Sequence, residues 1–187
     1  MLYGNPSGLI ERAYKFAASA HAAVGQRRKY TGEPYITHPI AVAAKVATVR
    51  HTEAMLAASL LHDTVEDTDT TIAAVQDAFG LEVAELVGWL TDVSHANDGN
   101  RAHRKALDRA HIANAPAAAK TIKLADLIDN TTSIVAHDPA FAAVYLQEKI
   151  ALLEVLKEGD PTLWQQARTL ALDGLSRLEE LEICTKY

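Results

Sequence analysis

The feature that most restricts the fold is the spacing of the apolar residues, which recur at intervals of three and four along most of the chain. Alanine dominates these positions, aromatic residues make up only 6% of the sequence, and alternating β-branched residues are hard to find. Because alanine is the best intrinsic helix former, the pattern predicts an all-α protein of about eight to ten helices. The predicted helices cover residues 8–24, 38–50, 52–65, about 70–79, 81–93, 101–114, 117–135, 139–157 and 161–183.

Nothing in the sequence divides the chain into separate folding units. Its 187 residues contain no internal repeat, no low-complexity tract and no linker long enough to separate two domains. With 49% hydrophobic residues the chain can bury a sizeable core. We therefore predict a single domain over residues 1–187, in which residues 8–157 carry the motifs described below and residues 161–183 form a C-terminal helix.

The overall charge is acidic, with 18 Lys and Arg residues against 24 Asp and Glu residues and a formal net charge of -6. Nucleic-acid-binding surfaces usually carry a basic excess, so we expect no nucleic-acid partner. No stretch approaches the roughly 20 apolar residues of a membrane-spanning helix, so we expect no membrane association. The single cysteine, Cys184, and the lack of a signal-peptide pattern favour a cytoplasmic protein. The sequence leaves monomer and homodimer open.

Four ionisable side chains follow the most apolar helical segment at its carboxyl end. Residues 54–61 are almost entirely apolar, and the residues that follow include His62, Asp63, Glu66 and Asp67. On a continuous helix, residues four apart share a face, which would place His62 beside Glu66 and one aspartate beside the other. Three carboxylates here oppose the helix dipole and repel one another, so the pattern favours a bound cation. The alternative is a solvated helix end.

Further candidate ligands lie in two other segments. His38 lies at the start of a predicted helix, and we expect its ring to point away from the helix start, toward a cleft. Asp126 has Lys123 one turn before it and Asn130 one turn after it, so these three residues share a face suited to holding a metal and a phosphate together. Two imidazoles and two carboxylates form a nitrogen–oxygen set that suits manganese, with iron, zinc or cobalt as alternatives. The absence of sulfur ligands argues against a closed structural zinc site.

Basic residues cluster at two places. Arg27 to Lys29 follow the first predicted helix and end nine residues before His38. In an acidic protein, a positive patch beside a metal is what a polyphosphate substrate requires, and the alternative is a solvated patch that pairs with the helix dipole. Arg101, Arg104 and Lys105 form a second cluster on one helix. By itself this second cluster is better explained as surface, unless the loop before it folds over the cleft.

The segments described above occur in a fixed order along the chain. They are Arg28-Lys29, the sequence PYITHP at 34–39, LLHDTVEDT at 60–68, and KLAD at 123–126 with Asn130. A His-Asp pair alone is weak evidence, but this ordered set, within residues 8–157, resembles the His-Asp (HD) metal-dependent phosphohydrolases. Within them it is most similar to the hydrolase domain of RelA/SpoT homologues and to the single-domain, Mesh-type small alarmone hydrolases. The resemblance implies an HD-type helical bundle.

The resemblance also implies roles for individual residues. One manganese ion would be held by His38, His62, Asp63 and Asp126. The attacking water would be positioned and deprotonated by Glu66 and Asp67. The nucleotide site would be lined by Arg28, Lys29, Asn130 and Tyr145, the last packing beside the ribose and phosphates.

The activity implied by the resemblance is hydrolysis of the 3′-pyrophosphate of guanosine tetra- and pentaphosphate, the alarmones of the stringent response, to GDP or GTP and pyrophosphate. Relatives that also synthesise the alarmone carry additional domains, so we expect degradation only. Two alternatives stay open. The same metal site could serve a phosphatase of NADPH or another nucleotide, or the chain could be a non-catalytic nucleotide sensor.

The chain departs from the family at phosphate contacts. Many relatives have basic residues where this chain has Leu127 and Thr132, and some have an arginine where it has Phe141. These departures leave the metal ligands of the family in place and remove basic side chains that contact phosphates in relatives. The candidates to compensate are Arg101, Arg104 and Lys105.

The remaining histidines and the tryptophans carry no motif. We interpret the two tryptophans, Trp89 and Trp164, as core residues on apolar helix faces. We interpret five of the other histidines as surface or helix-end residues, namely His21, His51, His95, His103 and His111.

Overall fold

The computed structural model of the protein describes residues 8–184. This part of the chain forms ten α-helices and no β-strand, which confirms the predicted all-α class. The helices are α1 Leu9–Ala23, α2 Thr37–Val46, α3 Glu53–Leu61, α4 Thr64–Asp67, α5 Ile72–Phe79, α6 Leu81–Leu90, α7 Arg101–Ala113, α8 Ala117–His137, α9 Pro139–Leu153 and α10 Pro161–Cys184.

Local capping signals explain several helix ends. Thr52 caps α3 by accepting a hydrogen bond from the Met55 backbone N–H at 3.2 Å, as expected for a threonine before a helix. Asp138 caps α9 in the same way, with Pro139 in its first turn. Helix α5 begins at Ile72, slightly later than the predicted start near residue 70, because its cap is Thr71, whose hydroxyl accepts from the Ala74 N–H at 3.1 Å.

The predicted continuous helix over residues 52–65 is wrong. Helix α3 ends at Leu61, and the short helix α4 begins at Thr64. Two side chains bond to backbone carbonyls at this break: the Thr64 hydroxyl donates to Leu61 O at 2.7 Å, and His62 Nδ1 lies 2.8 Å from Ser59 O. Side chains that bond the backbone in this way compete with the helical ladder. The break turns Glu66 toward the Asp92 N–H instead of toward His62.

Helix α3 lies at the centre of the fold. Every residue from Ala54 to Leu61 is buried, as expected for a helix that is apolar on all sides. It packs against α1, α2, α6 and α8, while α8 also contacts α2, α9 and α10. The carboxyl end of α3, the start of α2 and the middle of α8 therefore meet at one point of the core.

The remaining helices cover this centre from outside. Helix α10 packs on α8 and α9, where Gly174 leaves room for the Leu146 side chain, since a Cβ there would lie 2.9 Å from Leu146 Cδ1. Trp89 and Trp164 are partly buried against the core, as expected. Of the helices in residues 8–184, none is long and apolar enough to cross a bilayer.

Candidate metal centre

His38 enters the core from the first turn of α2. Its ring is 1% exposed, so it points into the protein and not toward an open cleft. Its Nδ1 lies 2.6 Å from Asp129 Oδ2. Since a carboxylate can only accept, we assign the ring hydrogen to Nδ1, which leaves the Nε2 lone pair free.

His62 approaches the same point from the end of α3. It is 1% exposed, and its Nδ1 donates to the Ser59 carbonyl, which again leaves Nε2 as the free nitrogen. The two rings lie with centroids 5.1 Å apart. Within the described residues neither Nε2 has a hydrogen-bond partner, although both are buried. Two buried imidazole lone pairs aimed at one region are what a bound cation would satisfy.

Two carboxylates complete the group. Asp126 Oδ1 lies 3.2 Å from His38 Nε2 and 3.9 Å from His62 Nε2. Asp63 Oδ2 lies 3.5 Å and 3.1 Å from the same two nitrogens. Ligand atoms of His38, His62 and Asp126 all lie within 4.8 Å of one another. The donor set therefore fits a divalent cation of the manganese, iron or zinc type, as the sequence indicated.

The ionisation of this group follows from mutual charge. Burial alone would raise the pKa of Asp126, but Lys123 and the two imidazoles outweigh it and hold that pKa well below its usual range. Burial alone would lower the pKa of His38, but the carboxylates of Asp126 and Asp129 raise it to about 9. In the absence of a cation, protons on the imidazoles offset the negative charge of the carboxylates. A bound cation would displace these protons, because a ligating imidazole must be neutral.

Glu66 and Asp67 lie on α4 at the exposed side of this group. Glu66 Oε2 accepts from the Asp92 N–H at 3.3 Å. Desolvation of its carboxyl group and the nearby Asp92 carboxylate raise the pKa of Glu66 to about 7. Burial also raises the pKa of Asp67, and a hydrogen bond from Gln26 partly offsets that rise. A carboxyl group with a pKa of about 7, as at Glu66, suits proton transfer near neutral pH.

The predicted shared face of α8 is confirmed. Lys123 Nζ lies 2.9 Å from Asp126 Oδ2, and Asn130 Nδ2 donates to Asp126 Oδ1 at 2.6 Å. Arg28 reaches the same face from the loop after α1, with NH2 2.9 Å from Asp129 Oδ2 and NH1 3.5 Å from Asn130 Oδ1. Of the basic candidates, Lys123 therefore contacts the candidate ligand Asp126 directly, and Arg28 reaches the candidate ligands through Asp129 and Asn130.

Two other basic candidates lie close to the ring of Phe141. Lys29 Nζ lies 5.7 Å from the ring centroid and 3.1 Å from Asp138 Oδ2. The Arg101 guanidinium lies 5.2 Å from the same centroid and holds Glu148 at 2.7 Å. Two cations thus lie beside the Phe141 ring.

The remaining substrate-binding candidates each have different neighbours. They are Lys105, Arg104 and Tyr145. Lys105 Nζ pairs with Asp92 at 2.6 Å and with Asp108 at 3.2 Å. Arg104 donates to the Gly99 carbonyl at 2.8 Å, so it turns to its own loop and not to the ligand group. Tyr145 is 5% exposed, and its ring lies 4.8 Å from Lys149 Nζ.

A small cavity of about 60 Å³ adjoins the ligand group between α6, α7, α8 and α9. Three lysines line it, from three of these helices: Lys105, Lys123 and Lys149. Burial and the neighbouring Lys123 lower the pKa of Lys149 to about 8. Lys149 belongs to none of the sequence motifs, although it lies one turn after Tyr145.

Four further residues escaped the sequence analysis. Asp129 bonds His38 and Arg28, and its spacing of three from Asp126 was the available signal. The Tyr35 hydroxyl donates to Asp63 Oδ2 at 2.7 Å. The interpretation of His21 as a surface or helix-end residue is wrong as to the surface, because it is 1% exposed in the last turn of α1 and bonds Gln26. No local signal indicated the Gln26 and Tyr35 contacts.

Among curated proteins, the chain is similar to much longer ones. It is 39% identical over 137 residues to a protein of Synechocystis sp. named probable guanosine-3′,5′-bis(diphosphate) 3′-pyrophosphohydrolase. It is 46% identical over 84 residues to the protein of that name, without "probable", from Aquifex aeolicus. These matches cover 72% and 45% of this chain but only 18% and 12% of the relatives.

Solved structures and family models give fuller coverage. A metazoan ortholog of SpoT, described as hydrolysing ppGpp, matches with a TM-score of 0.78 and 29% identity over 90% of this chain and 96% of its own. The protein lmo0812 of Listeria monocytogenes matches with a TM-score of 0.62 and 27% identity, covering 77% of this chain and 99% of its own. The model of the HD domain matches residues 13–170. The chain therefore belongs to the HD domain family.

Proposed function

We propose that this protein is a guanosine-3′,5′-bis(diphosphate) 3′-pyrophosphohydrolase. It would hydrolyse guanosine tetra- or pentaphosphate to GDP or GTP and pyrophosphate, without synthetase activity. The observation that carries the proposal is the convergence of the His38 and His62 Nε2 atoms on Asp126, in a chain similar to proteins of that name. We also propose that residues 1–187 form one domain, since α10 packs on α8 and α9.

The residues that would hold a divalent cation are His38, His62, Asp63 and Asp126, with manganese as the proposed ion. When bound, it supplies Lewis acidity at the phosphorus and lowers the pKa of the attacking water. The chain orients these ligands through contacts of its own: Asp129 holds His38, the Ser59 carbonyl holds His62, and Tyr35 holds Asp63. Such partners fix ring tautomer and ligand direction.

The residues proposed for proton transfer lie on α4. Glu66, with a pKa raised to about 7, accepts the proton of the attacking water, and Asp67 helps to orient that water. The water oxygen bonds the phosphorus attached to the ribose 3′-oxygen, the bond from that phosphorus to the 3′-oxygen breaks, and the 3′-oxygen takes a proton from solvent. General-base assistance of this kind is worth about 10²- to 10⁴-fold in rate.

Basic side chains hold the phosphates of the guanosine polyphosphate. Arg28 and Lys123 lie beside the ligand group, and Lys29, Arg101 and Lys105 lie farther out. Offsetting phosphoryl charge is a large part of catalysis in phosphoryl transfer. The positions of Lys29 and Arg101 around Phe141 offer a replacement for the arginine that some relatives have there.

The deciding assay supplies purified protein and manganese with guanosine tetraphosphate or NADPH. Nucleotides are separated by anion exchange, and phosphate is measured with and without added inorganic pyrophosphatase. We expect GDP, with phosphate appearing only after pyrophosphatase treatment. Direct release of phosphate from NADPH with no GDP from the alarmone would support the alternative phosphatase, and binding without turnover would support a sensor.

Two variants test whether any activity belongs to the proposed site. His62→Ala should abolish turnover and manganese binding. The matched control is His51→Ala, since His51 is exposed in the loop between α2 and α3. Equal loss in both variants, or turnover by His62→Ala, would contradict the assignment.

A further inference from the structure

His21 occupies an unusual place for a histidine outside the ligand group. It lies in the last turn of α1, is 1% exposed, and its ring centroid lies 4.7 Å from that of Tyr35. Its Nδ1 lies 2.6 Å from Gln26 Oε1. Within the described residues its Nε2 is buried without a hydrogen-bond partner. The His21 ring is therefore buried with one hydrogen bond, the one to Gln26.

Hydrogen-bonding chemistry fixes the direction of that contact. Gln26 Nε2 donates to Asp67 Oδ2 at 2.8 Å, because a carboxylate can only accept. This orientation of the amide turns its oxygen toward His21. Since the amide oxygen also can only accept, the ring hydrogen of His21 must lie on Nδ1. A neutral ring of this tautomer buries a bare acceptor at Nε2, whereas a second ring hydrogen there would be a buried donor without a partner.

The Gln26 backbone is held at the same time. Its N–H donates to His21 O at 3.0 Å, and its carbonyl accepts from the Tyr35 N–H at 3.4 Å. The side chain therefore starts from a fixed backbone and ends on a fixed acceptor. Asp67, in contrast, lies on the four-residue helix α4, which offers little rigidity of its own.

We propose that His21 and Gln26 are positioning residues for Asp67: the His21 N–H orients the Gln26 amide, and that amide holds Asp67 Oδ2 so that Oδ1 is left to face the attacking water. The part that concerns the water rests on the proposed function. The part that concerns the ring tautomer of His21 and the Gln26 amide rests on the hydrogen bonds alone. Neither residue touches the reacting atoms.

The first test replaces Gln26 by methionine, which keeps the length of the side chain and removes both polar groups. Gln26→Met should lower kcat for the alarmone about 10- to 100-fold, the range typical of second-layer contacts. KM should change less than about threefold and bound manganese should stay unchanged, because the phosphate and metal contacts are untouched. The control Gln76→Met alters an exposed glutamine of α5. An unchanged kcat in Gln26→Met would overturn the proposal.

The second test uses rescue at His21. Asparagine can place an N–H near the position of Nδ1, whereas phenylalanine keeps a ring without a donor. His21→Phe should therefore lose most of kcat and His21→Asn should recover part of it, with similar thermal unfolding midpoints in the two variants. Equal kcat values in two folded variants would show that His21 acts only through packing, and would contradict its role in positioning.

The third test needs no substrate. Long-range ¹H–¹⁵N spectra of the protein loaded with diamagnetic zinc report which nitrogen of each histidine carries hydrogen. The signal absent from His21→Asn identifies His21. We expect hydrogen on Nδ1; hydrogen on Nε2 would overturn the proposal even in an active enzyme. If the protein hydrolyses no nucleotide but His21 shows the Nδ1 tautomer, the proposed function fails while the hydrogen-bond assignment stands.

Discussion

A single oxygen atom of Asp129 serves two neighbours with different proposed tasks. Asp129 Oδ2 lies 2.6 Å from Nδ1 of His38, a candidate metal ligand, and 2.9 Å from NH2 of Arg28, which is proposed to bind phosphate. Carboxylates that accept from a ligating imidazole fix its tautomer and increase its basicity. Asp129 therefore couples the candidate metal ligand to the candidate phosphate contact.

Removing this carboxylate should weaken the metal site. We expect Asp129→Ala to bind manganese about 10- to 100-fold more weakly, because His38 loses the acceptor that orients it. Isothermal titration of metal-free protein with manganese measures the change. Asp77→Ala serves as the control, since Asp77 is exposed on α5. Equal dissociation constants for Asp129→Ala and the control would show that packing alone orients His38.

At the scale of the helices, the cavity between α6, α7, α8 and α9 brings four basic side chains beside three carboxylates, namely Lys105, Arg109, Lys123 and Lys149 with Asp92, Asp108 and Glu148. Lys105 and Lys123 pair there with carboxylates, and Arg101 engages Glu148, the carboxylate next to Lys149 in sequence. Lys149 is half-buried against the Tyr145 ring. Holding a cation in such a place costs stability, and a bound phosphate would offset that cost.

We expect Lys149→Met to make the protein more stable and a weaker binder of its substrate. Burial lowers the pKa of Lys149 to about 8, below its unfolded value near 10.5, so the charged ammonium destabilises the fold fully below pH 8. The gain in unfolding free energy should therefore be present at pH 7 and shrink between pH 8 and 10.5. KM for the alarmone should rise with little change in kcat. Urea unfolding across pH, with the exposed Lys157→Met as control, measures the first effect.

A stability gain that does not depend on pH would contradict the assigned charge state of Lys149. An unchanged KM would place the phosphates elsewhere, around Arg28 and Phe141.

For the whole molecule, the candidate ligands belong to helices that are distant in sequence. His38 lies on α2, His62 at the end of α3 and Asp126 on α8. A cation bound by all three side chains would link α2, α3 and α8, which pack together in the core. Binding to the folded state alone stabilises it by about 2.7 kcal/mol at a ligand concentration 100 times the dissociation constant.

Manganese should therefore raise the thermal unfolding midpoint, and a chelator should reverse the rise. His62→Ala should show no response to the metal, whereas His51→Ala should respond like the unaltered protein. Scanning calorimetry with and without manganese measures the shifts. An equal shift in His62→Ala would mean that the metal stabilises the fold from another place.

The sequence predicted most of the fold because helix signals are local. Threonine, aspartate and proline marked the starts of α3 and α9, and the apolar segment 54–61 marked the central helix. The break after Leu61 was missed because it depends on His62 and Thr64 bonding the backbone. Spacing alone cannot show which of these bonds prevails.

The candidate ligands could also be chosen from sequence, because they stand in motifs. The residues that orient these ligands and Asp67 through hydrogen bonds could not be chosen in this way. Asp129 reaches His38 over 91 residues, and Gln26 reaches Asp67 over 41. Such contacts depend on how α1, α2 and α8 pack, and no spacing rule within one helix predicts them.

The two candidate imidazole ligands also differ in what supports them. His62 donates to the main-chain oxygen of Ser59, an atom that every residue type would supply at that position. His38 donates to a side chain, Asp129, which one substitution can remove. A substitution at residue 129 can therefore change the orientation and basicity of His38. The support of His62 is kept as long as α3 keeps its backbone conformation. Adjustment of this metal site during evolution would start from the α8 side.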